Sequence, residues 1–363
     1  MSFPRKRESR EINHFWTPAF AGVTVLETFY EAINFGGDMT LILTRRKGTR
    51  ALLILLTACL CVPWFTMFSW AGEEEKMIKG SERVVRKAYG AGRWFPGDGK
   101  ELKSMVDGYI EDARVDKVKG RIVGAIAPHA GYVYSGKVAG YTFRAIKDNV
   151  ANWGRPEVVV VLGLSHRGGF QGVALMDGDA IKTPLGEALL DKEAAEILAA
   201  KSPRIYFDYR PHVGEHSAEN EIPFVQRALP ETKLIIGLIG DHDSRTLGDL
   251  VKALDTLSKK KKILVIASSD MLHDPNYDLV SKTDRGTLDK MRSMDYAGIR
   301  KDWDYSRQIL CGVGPVVAVM RFAELKGCKE GTVLQYRNSG DDFPESRGRW
   351  VVGYGSVVFA VPE

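Results

Sequence analysis

Cysteine is scarce in this 363-residue chain: there are four, and Cys59 and Cys61 lie inside one apolar segment. That leaves Cys311 and Cys328 for the rest, with no C-x-x-C pair and no zinc-finger spacing. A disulfide framework and a structural zinc module are thereby excluded. Charge of one sign is also lacking. The 51 Lys/Arg are nearly matched by 46 Asp/Glu, and part of the net +5 comes from the first 71 residues. No basic stripe interleaves with aromatics, so the footprint of a nucleic-acid-binding protein is missing. The body has no internal repeat and no low-complexity tract, which argues against a repeat architecture. Long apolar runs are limited to one, from Ala51 to Trp70.

That run organises the N-terminus. Residues 1–38 do not read as the start of a domain, and the natural start is expected at Met39. From there Arg45, Arg46, Lys47 and Arg50 form a basic region ahead of the apolar run. Ser69 and Ala71 are small residues at the two positions a signal peptidase reads. Residues 39–71 are thus expected to be a signal peptide cut after Ala71, or else an uncleaved membrane anchor. Leu56–Cys59 resembles a lipoprotein box, but the apolar residues continuing after Cys59 argue against it. Arg45-Arg46 lacks the Phe-Leu of a twin-arginine signal. Residues 72–85 read as a linker and 86–363 as the domain.

Within the domain, apolar runs alternate with helical spacing. Strands are expected at 121–127, 157–163, 233–240 and 262–269, with closing strands at 333–336 and 350–360. Val173–Met176 and Ala180–Gly186 read as a hairpin. Helices are expected at 98–111, about 136–148, 191–200 with Asp191 as cap, 244–258, and two more across 284–326. The pattern predicts an α/β fold: one domain with a central, mostly parallel or mixed sheet covered by helices on both faces.

The chemistry-bearing residues gather after the strands. Pro128 stops the first strand, Gly131 and Gly136 offer tight turns, and His129 is presented at a strand end, where α/β proteins place their sites. His166 follows the next strand in the same way. Of seven histidines, His129, His166, His216 and His273 lie in polar or small-residue loops after strands or at a helix start. Glu215, His216 and Glu219 are spaced to share one helical turn. Imidazoles converging with a soft or carboxylate ligand make a transition-metal site, with nearby carboxylates fixing the ring tautomers. Cys311, among glycines in Cys311-Gly312-Val313-Gly314, is the candidate third ligand; a buried apolar thiol is the alternative. His212 and His242 read as structural.

These strings resemble the Memo family, the B component of the AmmeMemoRadiSam system. The resemblance rests on Ala91–Pro96, Pro128–Gly136, Leu164-Ser165-His166, Glu215–Glu219, Ser268-Ser269-Asp270, Cys311-Gly312 and Asn338–Asp341. It implies a fold akin to class III extradiol ring-cleavage dioxygenases, which are non-haem iron enzymes. It also implies His129, His166 and Cys311 as metal ligands, with His216 and Asp270 as further pocket residues. A thiolate in place of the dioxygenases' carboxylate favours iron(II) or copper over magnesium. Some members have Arg-His-Pro after the cysteine, where this chain has Val313-Gly314-Pro315. Cooperation with a radical-SAM protein and an AMMECR-type protein is also implied. Those partners belong to the cytoplasm, whereas a working leader would direct this chain to the periplasm or the inner membrane.

The leading expectation is a metal-dependent redox enzyme acting on a small molecule or a side chain. His216 would be its general acid/base with a pKa near neutrality, oriented by Glu215 or Asp270. Tyr132, Tyr134, Ser165 and His273 are expected to line the substrate pocket. A binding protein without turnover and a metal hydrolase are the alternatives, in that order.

Overall fold

Seven residues of Val158–Leu164 are aliphatic apart from Gly163 and are buried along almost their whole length. Such a strand needs cover on both faces, and it has it. Val158, Val160 and Leu162 pack into one core, and Val159 and Val161 into the other. The computed structural model describes residues 83–362. The expected leader, signal segment and most of the expected linker lie outside them. Among the described residues no helix is long and apolar enough to cross a membrane.

The described chain begins with β1 (Val85–Lys87), α1 (Gly99–Asp112), β2 (Arg121–Ala127), α2 (Tyr132–Trp153), β3 (Val158–Leu164) and β4 (Val173–Leu175). There follow β5 (Ala180–Thr183), β6 (Gly186–Leu189), α3 (Lys192–Ala199), β7 (Ile205–Phe207), α4 (Ile222–Ala228) and β8 (Lys233–Ile239). Then come α5 (Ser244–Ser258), β9 (Ile263–Ser268), β10 (His273–Asp274), α6 (Tyr277–Arg292) and α7 (Tyr296–Asp302). The chain closes with α8 (Val313–Leu325), β11 (Gly331–Asn338), α9 (Ser339–Asp342) and β12 (Val351–Val361).

The main sheet runs β10-β12-β2-β9-β3-β8-β4-β7, with β11 also paired to β12. At its centre β2, β9, β3 and β8 are mutually parallel. β12 and β4 flank them antiparallel, so the sheet is mixed. Helices α1, α2 and α4 cover one face. Helices α3, α5 and α8 cover the other. A second, three-stranded sheet joins β1, β5 and β6.

Several boundaries differ from expectation. β4 pairs with β8 and β7, while the hairpin lies further on, between β5 and β6. Residues 215–218 form a loop rather than a helical turn. Three helices, not two, fill 277–325. Gly136 makes no turn: it is inside α2, where a Cβ would come within 2.3 Å of the Tyr109 ring. At Gly140 a Cβ would meet the Tyr109 carbonyl oxygen, also at 2.3 Å. Both glycines therefore serve the close approach of α1 to α2.

Because β2, β9, β3 and β8 are parallel, the segments after them all emerge at one edge. His129, Asp270, His166 and His242 are delivered there together. An isolated bridge between Met271 and Leu310 draws the loop before α8 to the same edge, with the Cys311 N–H donating to the Asp270 carbonyl at 3.2 Å.

Candidate metal centre

At this edge the ligand atoms of His129, His166 and Cys311 lie within 4.8 Å of one another. Cys311 Sγ is 3.3 Å from His129 Nε2. His129 is buried, whereas the His166 side chain is 34% exposed and opens the cluster to solvent. Each ring is held from its far side. His129 Nδ1 is 3.0 Å from Ser268 Oγ, and His166 Nδ1 is 2.9 Å from Glu215 Oε1. The remaining nitrogens are left to face the sulfur.

Glu215 anchors the cluster. Its Oε2 accepts the His166 N–H at 2.6 Å, and its Oε1 accepts those of His216 and Ser217, each at 2.8 Å. Burial alone would raise its pKa, but the His166 ring and these N–H groups hold it well below the usual carboxylate range. Asp270, also buried, accepts the N–H groups of His129 at 2.8 Å and Ala130 at 3.2 Å. Desolvation raises its pKa. The Asp270 N–H donates to Cys311 Sγ at 3.2 Å. Burial would push the Cys311 thiol up, yet the facing imidazoles outweigh it and bring the thiol down to about 6. Burial likewise opposes charge on His166, but Cys311 and Glu215 outweigh it and raise its pKa. Cys311 and Cys328 are both free, so no disulfide joins them.

His216 does not meet the expectation of a near-neutral acid/base. Burial and the neighbouring His129 and His166 push its pKa down to about 2. It lies between Trp94, stacked at 3.7 Å with 2° between planes, and His166, stacked at 4.7 Å and 17°. Ligand atoms of His166, Glu215 and His216 also come within 4.8 Å of one another. Face-to-face rings direct their in-plane lone pairs side by side rather than at a common point, so that second set is the poorer metal cage.

The other expected residues have varied surroundings. Tyr132 is buried in the core, with its hydroxyl donating to the Asn220 carbonyl at 2.6 Å. Tyr134 is exposed beside Phe343. Ser165 is half-buried and accepts the Arg167 N–H. His273 is half-buried near Trp350, and desolvation lowers its pKa. Glu219 faces away from the cluster and accepts the N–H groups of Tyr89 and Gly90. His212 bonds the Ala174 carbonyl, as befits a structural histidine. Sequence reasoning missed Trp94, Asn220 and Glu221 as supports. Trp94 stood in a recognisable string, Ala91–Pro96, but nothing local marked its partner.

The class is thus an α/β protein with a largely buried His-His-Cys cluster at the carboxyl ends of the parallel central strands of a mixed sheet. The chain belongs to the Memo family: the family profile described as "Memo-like protein" matches residues 86–358. A MEMO1 family protein of Methanopyrus kandleri is 32% identical, covering 74% of this chain and 96% of that one. One of Nitrosopumilus maritimus is also 32% identical, covering 76% of this chain and 100% of that one. A solved structure of an uncharacterized protein from Escherichia coli K12 aligns with a TM-score of 0.39 and 12% identity. It covers 65% of this chain and 99% of that one, a likeness too slight to bear on the site.

Proposed function

We propose that this Memo-family protein binds a soft transition metal through His129, His166 and Cys311 and uses it in redox chemistry on a small molecule or side chain. The observation that carries the reading is the convergence of three ligand atoms within 4.8 Å. Ligands at ordinary bond lengths around one tetrahedral ion stand about 3.3–3.8 Å apart, so the cluster needs only a slight contraction. The donor set fits too, since two imidazoles and a thiolate suit iron(II) or copper better than magnesium. Such an ion would supply electron transfer to or from a substrate bound beside it.

The chain's own residues do the rest. Glu215 and Ser268 orient the two ligand rings, as second partners of metal-bound histidines do. Asp270 ties the His129 loop to the Cys311 loop. Trp94 and His216 wall one side against water. His166 marks the solvent approach.

A second reading, a metal-binding protein without turnover, is favoured by one observation. His216 is buried and stacked between Trp94 and His166, a setting that pushes its pKa down and ill suits it to donate a proton. One experiment tests the metal and a second separates the readings. Protein purified without oxygen is expected to carry near-stoichiometric iron or copper, lost in His129→Ala, His166→Ala and Cys311→Ala. A parent that stays empty after reconstitution would sink both readings. Oxygen uptake by the iron-loaded protein with a catechol panel would favour redox; none would favour binding alone.

A further inference from the structure

Three polar atoms surround the Ser268 hydroxyl: His129 Nδ1 at 3.0 Å, the Ser217 carbonyl oxygen at 2.5 Å and Glu221 Oε1 at 2.7 Å. A hydroxyl has one hydrogen to give and two lone pairs to fill. The Ser217 carbonyl can only accept, and at that distance it takes the hydrogen. Both other neighbours must then donate. His129 therefore carries its proton on Nδ1, and Glu221 is a neutral acid whose O–H points at Ser268.

Two further observations agree about Glu221. It is completely buried, and its other oxygen has no hydrogen-bond partner among the described residues. A carboxylate so placed is costly, whereas a neutral carbonyl oxygen is tolerated far better. Burial pushes its pKa well up and outweighs the Ser268 contact, which lowers it, while the Asp270 carboxyl adds to the rise.

We propose that Ser268 and Glu221 are positioning residues that hold a proton on His129 Nδ1 and so keep Nε2 as the ring atom that faces Cys311. The lock reaches further. Ser217, which receives the Ser268 hydrogen, donates its own hydroxyl to the Leu164 carbonyl at 2.7 Å and accepts the Leu164 N–H at 3.1 Å. Leu164 ends β3, two residues before His166. One chain of hydrogen bonds thus ties the tautomer of the first ring to the backbone that carries the second. Asn220 adds to it by donating to the His129 carbonyl at 2.6 Å. The metal ion is not needed to form the lock, but the purpose assigned to it rests on the metal-binding reading above.

The test is long-range ¹H–¹⁵N NMR of the histidine rings in the metal-free, full-length protein. The parent is expected to show a protonated Nδ1 on His129. Glu221→Gln, whose amide still donates to Ser268, is expected to keep it. Ser268→Ala removes the acceptor and is expected to give a substantial unprotonated Nδ1 population, with metal affinity falling about ten- to a hundredfold. An unprotonated Nδ1 in the parent, or an unchanged ring in Ser268→Ala, would overturn the proposal. Should Ser268→Ala fail to fold, Ser268→Cys, whose sulfur is a much weaker acceptor, is expected to shift the ring the same way, and an unchanged ring there would overturn the proposal equally. The ring signal is read without metal, so a protein that binds none would refute the metal reading and leave the lock standing.

Discussion

The Trp94 indole and the His216 imidazole lie 3.7 Å apart and within 2° of parallel. The two residues are far apart in the chain, and the stack covers one face of His216 while His166 covers the other. It contributes to the burial that keeps His216 neutral. Trp94→Ala is expected to re-solvate the ring and raise its pKa toward the ordinary 6.5. Stability should fall by about 0.5–1.5 kcal/mol beyond the area lost. Trp94→Phe should keep most of the stack and leave the titration near the parent's. NMR titration of His216 reads both, and an unmoved pKa in Trp94→Ala would show that the burial comes from elsewhere.

Glu215 gives the sharpest stability expectation near the site. Its folded pKa lies below its ordinary 4.5. Its stabilisation is therefore present above pH 4.5 and is lost as the pH falls toward the folded value. Glu215→Gln replaces an ion that accepts three backbone N–H groups with a neutral amide, one end of which opposes them. A cost of about 3–5 kcal/mol is expected at pH 7. Urea unfolding checks this: the midpoint should drop with the slope unchanged.

Much of the scaffold was legible because its strands are short apolar runs bounded by Gly, Pro or charge. Val158–Leu164 and Ile263–Ser268 can hardly be read otherwise. His129, His166 and Cys311 were legible because each sits where a strand or loop breaks into small residues. What escaped depends on distance in sequence. β4 has three residues, and its true partner β8 comes more than fifty residues later, so proximity alone suggested a hairpin with 180–186. Glu215, His216 and Glu219 have helical spacing, but the Glu215 carboxylate captures backbone N–H groups that a helix would have used. Trp94 and Glu221 act through partners that no local pattern names.

Glu219 and Asp284 predict the opposite pH trend from Glu215. Burial raises each to about 7. Glu219 spans the window from 4.5 to about 7, and Asp284 the window from 3.8 to about 7. The folded state holds these protons more tightly than the unfolded chain. Their stabilisation is thus complete below the ordinary pKa and is lost as the pH rises through the folded one, on the order of 3–4 kcal/mol each. Glu219→Gln is expected to remove about half of that decline, and Glu219→Gln with Asp284→Asn most of it. Stability measured by denaturant from pH 4.5 to 8 shows the slope. A double variant as steep as the parent would assign the decline to other groups.

Gly312 offers the last test because it separates shape from chemistry. It carries no ligand atom, yet it follows Cys311 and its N–H donates to Ser269 Oγ at 2.9 Å. A Cβ there would stand 2.7 Å from the Ser268 carbonyl oxygen and 2.7 Å from Ser269 Cβ. The first obstacle is backbone of the β9 edge and cannot swing aside. Relief must come from the loop, which moves Cys311 away from His129. Gly312→Ala should therefore cost about 1–3 kcal/mol through overpacking while leaving all three ligand side chains intact. If the cluster binds metal as proposed, occupancy should fall toward that of Cys311→Ala. Metal content measured beside a folded-state control such as circular dichroism decides it. A folded Gly312→Ala with full metal occupancy would mean that Cys311 is not held at the centre by the close approach of its loop to Ser268.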